Sequence, residues 1–227
     1  MAIGLGIDVY GTLVDPIGIS DYLYSLIGDQ AERMAELWRA KQLEYTFRRA
    51  AMGRYENFDL CTRCALEWVA ASLKLSLTNE ETARILDQYR KLNAYPDAAS
   101  GLSGLKRRGY ALCAFSNGVD SSLRQLLEHA GLYAHLDGIV SVDEIGTFKP
   151  DPRVYQHLVR RLATKPGDTW LISGNPFDII GAKAAGLQAA WIKRNANAVF
   201  DLWDIEPDLV VTDLNDLVRQ SLAMDEG

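Results

Sequence analysis

Apolar residues follow two different rhythms along this chain. Residues 3–9, Ile-Gly-Leu-Gly-Ile-Asp-Val, form a short apolar run that reads as a strand, and Tyr10-Gly11-Thr12 then turns the chain. From about 18 to 95 the pattern is helical and rich in Leu, Ala, Arg and Glu. Met34, Leu37, Trp38, Lys41 and Tyr45 fall on one face of a long helix, and 59–73 reads as a second. Thr78, with Glu81 three residues on, predicts the capped start of a third helix that runs to about 92.

After Tyr95-Pro96 short apolar runs alternate with amphipathic stretches. Helices are expected over 98–108, 121–130, 151–162 and 178–185, the first, second and fourth closed by Gly109, Gly131 and Gly186. Strands are expected over 110–115, 138–142, 169–172, 189–192 and 209–211, with a helix at the end. Such alternation predicts an α/β fold, a Rossmann-like, mostly parallel sheet with helices on both faces. The helical block interrupts this rhythm after the first strand. It is therefore read as an inserted cap domain over 16–95, with the core made of 1–15 and 96–227. There is no internal repeat. In such sheets ligands sit beyond the carboxyl ends of the strands. That rule picks out Asp8 with Thr12, Ser116-Asn117-Gly118, Thr147-Phe148-Lys149, and Ser173 to Asp178.

Composition narrows the function classes. The 227 residues carry a net charge of −6 without a basic block, which argues against nucleic acid as partner. No apolar run approaches the roughly 20 residues of a membrane span. Met1 to Asp8 lacks a basic region and a cleavage site and reads as structure. Three cysteines, Cys61, Cys64 and Cys113, are a sparse, odd count that suits a reducing compartment, so a cytoplasmic protein is expected. Cys61 and Cys64 form a C-x-x-C, but they alternate with Leu60, Ala65, Trp68 and Val69 at helical spacing. No second pair completes a zinc site, so the pair reads as part of a buried face.

The three histidines, His129, His135 and His157, lie in or just beyond helices rather than at strand ends, and no G-x-S-x-G elbow is present. A Ser-His-Asp triad is thereby disfavoured. Gly4-Leu-Gly6 lies inside a strand and lacks the third glycine of a dinucleotide loop. Asp8 is the stronger candidate, because it closes a strand before a tight turn, although a turn aspartate is the plain alternative. Lys149 can pair with Asp8 and keep it ionised, against the alternative of a solvated loop lysine. Asp178 opens a helix, where capping is the competing role.

Taken together, Asp8-x-Tyr10-Gly11-Thr12-Leu13-x-Asp15, Ser116-Asn117-Gly118, Lys149-Pro150-Asp151 and Ser173 to Asp178 resemble the four motifs of the haloacid dehalogenase superfamily. The segments Trp38-Arg39-x-Lys41-Gln42-Leu43-Glu44-Tyr45-Thr46, Met52-x-x-Tyr55-x-x-Phe58, Ser141-Val142-Asp143, Arg153-Val154-Tyr155 and Asn175-x-Phe177-Asp178 resemble the bacterial L-2-haloacid dehalogenases. The resemblance implies that Asp8 attacks the halogen-bearing carbon and that water then hydrolyses the ester at Asp8. Asp178 would polarise the water and Lys149 steady Asp8. Thr12, Ser173 and Asn175 would orient these groups. Ser116 would hold the substrate carboxylate, Arg39, Asn117 and Phe177 would cradle the halide, and Tyr155 would support the Lys149 side.

Tyr10 stands where the superfamily's phosphatases carry a second aspartate, and Ser173 where they carry an extra metal-holding acid. A halide leaves without a proton, so the first acid is dispensable. The substrate implied is a 2-haloalkanoic acid, with halide released and no metal or cofactor. Exposed apolar cap residues would suit a homodimer. Gly174 and Pro176 depart from the Ala or Ser expected there, and some relatives have Trp in place of Phe177. Competing readings are a Mg²⁺-dependent phosphatase, a hydrolase of another activated C2–X bond, and a silent binding protein. For Arg39 the plain alternative is pairing with Glu36 or Glu44, and for Phe58 and Phe177 it is packing.

Overall fold

Ile7 aligns with Ile172 at the end of a central strand pair, and the rest of the architecture is arranged about that pair. A computed structural model describes residues 3–221. Six strands form one parallel sheet: β1 (Gly4–Ile7), β2 (Ala111–Ser116), β3 (Gly138–Ser141), β4 (Thr169–Ser173), β5 (Gln188–Ile192) and β6 (Leu209–Val211). Their order is β3-β2-β1-β4-β5-β6, and all five pairings are parallel. The chain moves outward from β1 to β3, then returns to the other side of β1. The switch point, where α/β sheets bind ligands, therefore lies between β1 and β4.

Every residue of β1 and β4 is buried, so both sheet faces are covered, as the near-continuous apolar runs demand. The helices around the sheet are α5 (Ala98–Arg107), α6 (Asp120–His129), α7 (Pro152–Leu162), α8 (Pro176–Ala184) and α9 (Leu214–Gln220). Packing is close enough to dictate residue size. A methyl group on Gly6 would stand 2.4 Å from a Leu158 methyl, so the glycines of β1 serve the approach of α7 rather than a nucleotide. Gly109, Gly131 and Gly186 follow their helices with positive φ, as expected.

Between β1 and β2 stand α1 (Ser20–Ile27), α2 (Ala31–Met52), α3 (Phe58–Ser72) and α4 (Asn79–Tyr89). The two segments that lead into and out of these helices run side by side. Tyr95 N donates to Leu13 O at 2.9 Å and Asp15 N to Asn93 O at 3.3 Å. Arg194 clamps both, donating to the Thr12 carbonyl and pairing with Asp97 at 2.6 Å.

The Thr78–Glu81 capping box forms, though α4 stops at Tyr89 rather than near 92. Two expectations need correction. The buried face of α2 is Ala31, Met34, Ala35, Trp38, Gln42 and Thr46, so Leu37, Lys41 and Tyr45 lie at its margin. On α3, Cys61, Ala65, Leu66 and Val69 are buried, but Trp68 is 42% exposed beneath the Lys41 ammonium, 3.8 Å from its ring. A cation over an indole face keeps both at the surface. All three cysteines are free thiols. Among the described residues no helix is long and apolar enough to cross a membrane.

Candidate active site

Asp8 follows β1 directly, and its N–H donates to the Ile172 carbonyl at 2.9 Å, which fixes it at the switch point. Its carboxylate is buried, and each oxygen has a defined environment. Oδ2 accepts from Thr12 Oγ1 at 2.7 Å and from Asn175 Nδ2 at 2.8 Å. Oδ1 faces Lys149 Nζ at 3.1 Å. Thr12 Oγ1 also accepts from Gly174 N at 2.8 Å, which locks its donor direction toward Asp8.

That bond explains Gly174. The loop after β4 passes so close to the turn after β1 that a methyl group at 174 would stand 2.2 Å from the Gly11 carbonyl oxygen. The turn itself needs Gly11, whose φ is +84°.

Lys149 is fully enclosed and bridges both acids. Its Nζ stands 2.7 Å from Asp178 Oδ2 and 2.8 Å from the Phe115 carbonyl, and lies 4.1 Å from the Phe115 ring centre. A buried ammonium held by two carboxylates and a carbonyl is compensated in all its donors. Asp178 has no exposed surface, and its other oxygen accepts from Tyr155 Oη at 2.8 Å. Burial pushes its carboxyl above the ordinary range, with Asp8 adding to the rise. Lys149 and Tyr155 pull the other way. The Tyr155 phenol is driven up by burial and by Asp178, so it stays a donor.

Several placements differ from expectation. Asp178 does not open α8; Asn175 is the N-cap position and Asp178 lies in the first turn. Tyr155, expected on the Lys149 side of the site, donates to Asp178, the carboxylate that Lys149 also holds. Ser173 does not reach Asp8 but accepts from Asn175 N at 3.1 Å, shaping the loop. Arg39 pairs with neither Glu36 nor Glu44. Its Nη1 donates to Gln42 Oε1 at 2.9 Å and its Nη2 to the Tyr10 carbonyl at 3.2 Å. Glu44 pairs instead with Lys41 at 2.5 Å and with Arg48.

Asp8, Tyr10, Arg39, Leu43, Phe58, Ser116, Asn117, Lys149, Asn175 and Phe177 surround a chamber whose free room is about 10 Å³, enough for about one water. Asn117 offers its carbonyl oxygen to Lys149 N at 3.0 Å. Ser116 Oγ accepts from Gly118 N at 3.2 Å. Tyr10 stacks on Tyr89 at 5.5 Å, and burial raises its phenol far above the ordinary value, so a neutral ring stands two residues after Asp8. Phe177 packs edge-on against Phe47 of α2 at 5.1 Å.

Sequence reasoning missed Gln42, Leu43, Phe47 and Tyr89. Gln42 and Leu43 stand in the Trp38–Thr46 segment that carries the resemblance, and Gln42 and Thr46 form a polar pair four residues apart on a mostly apolar helical face; nothing comparable marks Phe47 or Tyr89.

A parallel sheet with a buried Asp-Lys-Asp arrangement at its switch point, roofed by helices inserted after the first strand, defines a class of α/β enzyme. The chain belongs to the haloacid dehalogenase-like hydrolase family, whose model matches residues 4–186. It is 41% identical over 188 residues to (S)-2-haloacid dehalogenase 1 of Pseudomonas sp. (strain CBS-3), covering 82% of each chain. It is 30% identical over 215 residues to haloacetate dehalogenase H-2 of Moraxella sp. (strain B), covering 95% of this chain and 96% of that one. Its fold is similar to the L-2-haloacid dehalogenase of Xanthobacter autotrophicus, solved with chloropropionic acid covalently bound. The TM-score is 0.91 at 31% identity, covering 99% of this chain and 100% of the other.

Proposed function

We infer that this chain is an (S)-2-haloacid dehalogenase, converting (S)-2-haloacids to (R)-2-hydroxyacids and halide through an ester on Asp8. The observation that carries this reading is the placement of Asp8. Its carboxylate is held by Thr12, Asn175 and Lys149, and Asp8 lines the same chamber as Arg39.

In this reading an Asp8 oxygen attacks C2 from the side opposite the halogen. The C–halogen bond breaks as the C–O bond forms, and the halide leaves toward Arg39, Asn117 and Phe177. Ser116 and nearby backbone N–H groups hold the substrate carboxylate. Water then adds to the Asp8 carbonyl carbon, giving its proton to Asp178. The elevated affinity of Asp178 for protons suits it to that role, provided it starts ionised beside Lys149. The same proton passes to the departing hydroxyl oxygen, and the second proton of the water is released to solvent as Asp8 returns to its carboxylate. Tyr10 completes the chamber wall, since a halide needs no acid behind it.

The helices of 16–95 act in this reading as a cap over the chamber, and their movement would widen it for substrate. Exposed Tyr24, Leu26, Met52 and Trp68 on that cap would suit a homodimer, and the free thiols suit the cytoplasm.

A halide-release assay with both enantiomers of 2-chloropropionate tests the reading. Release from the (S) enantiomer alone, with (R)-lactate as product, is expected, because one displacement inverts C2 and ester hydrolysis leaves it untouched. No halide from either enantiomer, or lactate with retained configuration, would overturn it.

A further inference from the structure

Gln42 is a fully buried amide in the middle of α2, without direct access to the chamber lining. A buried amide is costly unless its groups are paired, and here they are paired in a particular direction. Oε1 accepts from Arg39 Nη1 at 2.9 Å and from Tyr89 Oη at 3.3 Å. Nε2 donates to Thr62 Oγ1 at 2.6 Å. Thr62 is itself anchored on α3, donating to the Phe58 carbonyl at 2.8 Å, while its own carbonyl accepts from Trp38 Nε1 at 2.8 Å. One end of Gln42 is thus fixed to α3 and the other grips the guanidinium.

Arg39 has a second grip. Its Nη2 donates to the Tyr10 carbonyl, which also accepts from Asn175 Nδ2 at 3.0 Å, and that same nitrogen donates to Asp8. The guanidinium is therefore held on the cap side by Gln42 and on the Asp8 side by the Tyr10 carbonyl. Both acceptors are neutral. They fix the plane of the fork without cancelling its charge, as a carboxylate would. A positive group that stabilises developing negative charge gains most when it is oriented beforehand.

We propose that Gln42 is a positioning residue that aims Arg39 at the departing halide, and that it sets how well the site expels chloride relative to bromide. The proposal rests on the dehalogenase reading of Arg39. Chloride is the poorer leaving group and the harder anion, so its departure depends more on an aimed donor. Losing the aim should therefore slow chloro substrates more than bromo substrates. A residue that only packs the cap would change both alike.

The test is single-turnover halide release from 2-chloropropionate and 2-bromopropionate, so that slow ester hydrolysis does not mask the displacement step. Gln42→Met keeps length and volume and removes the acceptor. Chloride release is expected to fall about tenfold or more, the scale of one lost hydrogen bond to a charged group. Bromide release should fall several-fold less, with KM little changed. Thr62→Val frees the other end of Gln42 and should shift the ratio in the same direction by less. It reads the same quantity if Gln42→Met does not fold. A bromide-to-chloride ratio unchanged from wild type in the folded variant would overturn the proposal. Wild-type protein that releases neither halide would instead overturn the dehalogenase reading beneath it.

Discussion

Tyr155 Oη donates to Asp178 Oδ1 across 2.8 Å, in a place where neither side chain meets solvent. The phenol cannot ionise there, so the bond always favours the charged carboxylate over the protonated acid. The bond therefore lowers the proton affinity of the group proposed to activate water, against the larger rise that burial imposes.

The acid limb of the pH–rate profile should report that affinity. Burial lifts Asp178 above the ordinary carboxylate value of about 4, so activity should be lost on acidification at a pH higher than a solvated aspartate would give. Tyr155→Phe removes a contact that favours the charged form. The carboxyl must then rise further, and the acid limb should move to higher pH. Rates of turnover measured from pH 4 to 9 would check this. An acid limb that stayed in place or moved down would contradict the role given to Tyr155.

Asp8→Asn should leave the fold intact and abolish turnover. Asparagine keeps the shape and can still accept from Thr12, but its amide is a poor nucleophile, and the loss should be on the order of 10⁴ or more in kcat. Circular dichroism alongside halide release separates the two effects. Near-normal rates would mean that another group attacks C2.

Activity should survive EDTA, and added Mg²⁺ should do little. The gap between Asp8 and Asp178 is already bridged by Lys149, at 3.1 and 2.7 Å. Mg²⁺ favours carboxylate oxygens, and Ser173, whose hydroxyl accepts from Asn175 N, is a poor third ligand. Among the described residues no group of three or more His, Cys, Asp or Glu is placed to hold a metal. Two acids against Lys149 and Arg39 leave the site near neutral, so a monoanionic substrate can bind beside the neutral Ser116 and Asn117. Turnover lost on dialysis against EDTA and regained with Mg²⁺ would favour the phosphatase alternative.

The strand-helix alternation and the helical interruption were legible in the sequence because each reflects a periodicity that burial imposes directly. Asp8, Thr12, Lys149, Asn175 and Asp178 were legible because they lie just beyond strand ends, or in segments that return to them, where side chains must face the crevice. The cap side was harder. Gln42 contacts Tyr89, 47 residues away, and nothing local marks that pairing. That Tyr155 acts through Asp178 was not legible for the same reason, since it depends on how α7 packs on α8. Gly174 looked like an unexplained departure, and only the approach of the Gly11 carbonyl accounts for it.

The central claim is that Asp8 becomes the ester. One turnover in ¹⁸O-water, with enzyme in excess over 2-chloropropionate, tests it most directly, by mass analysis of the peptide carrying Asp8 and of the lactate. Water attacking the ester carbonyl leaves its oxygen on the enzyme, so label is expected in the Asp8 carboxylate and none in the new hydroxyl of lactate. Label in the lactate hydroxyl with an unlabelled Asp8 peptide would mean that water attacks C2 itself, and would contradict the account.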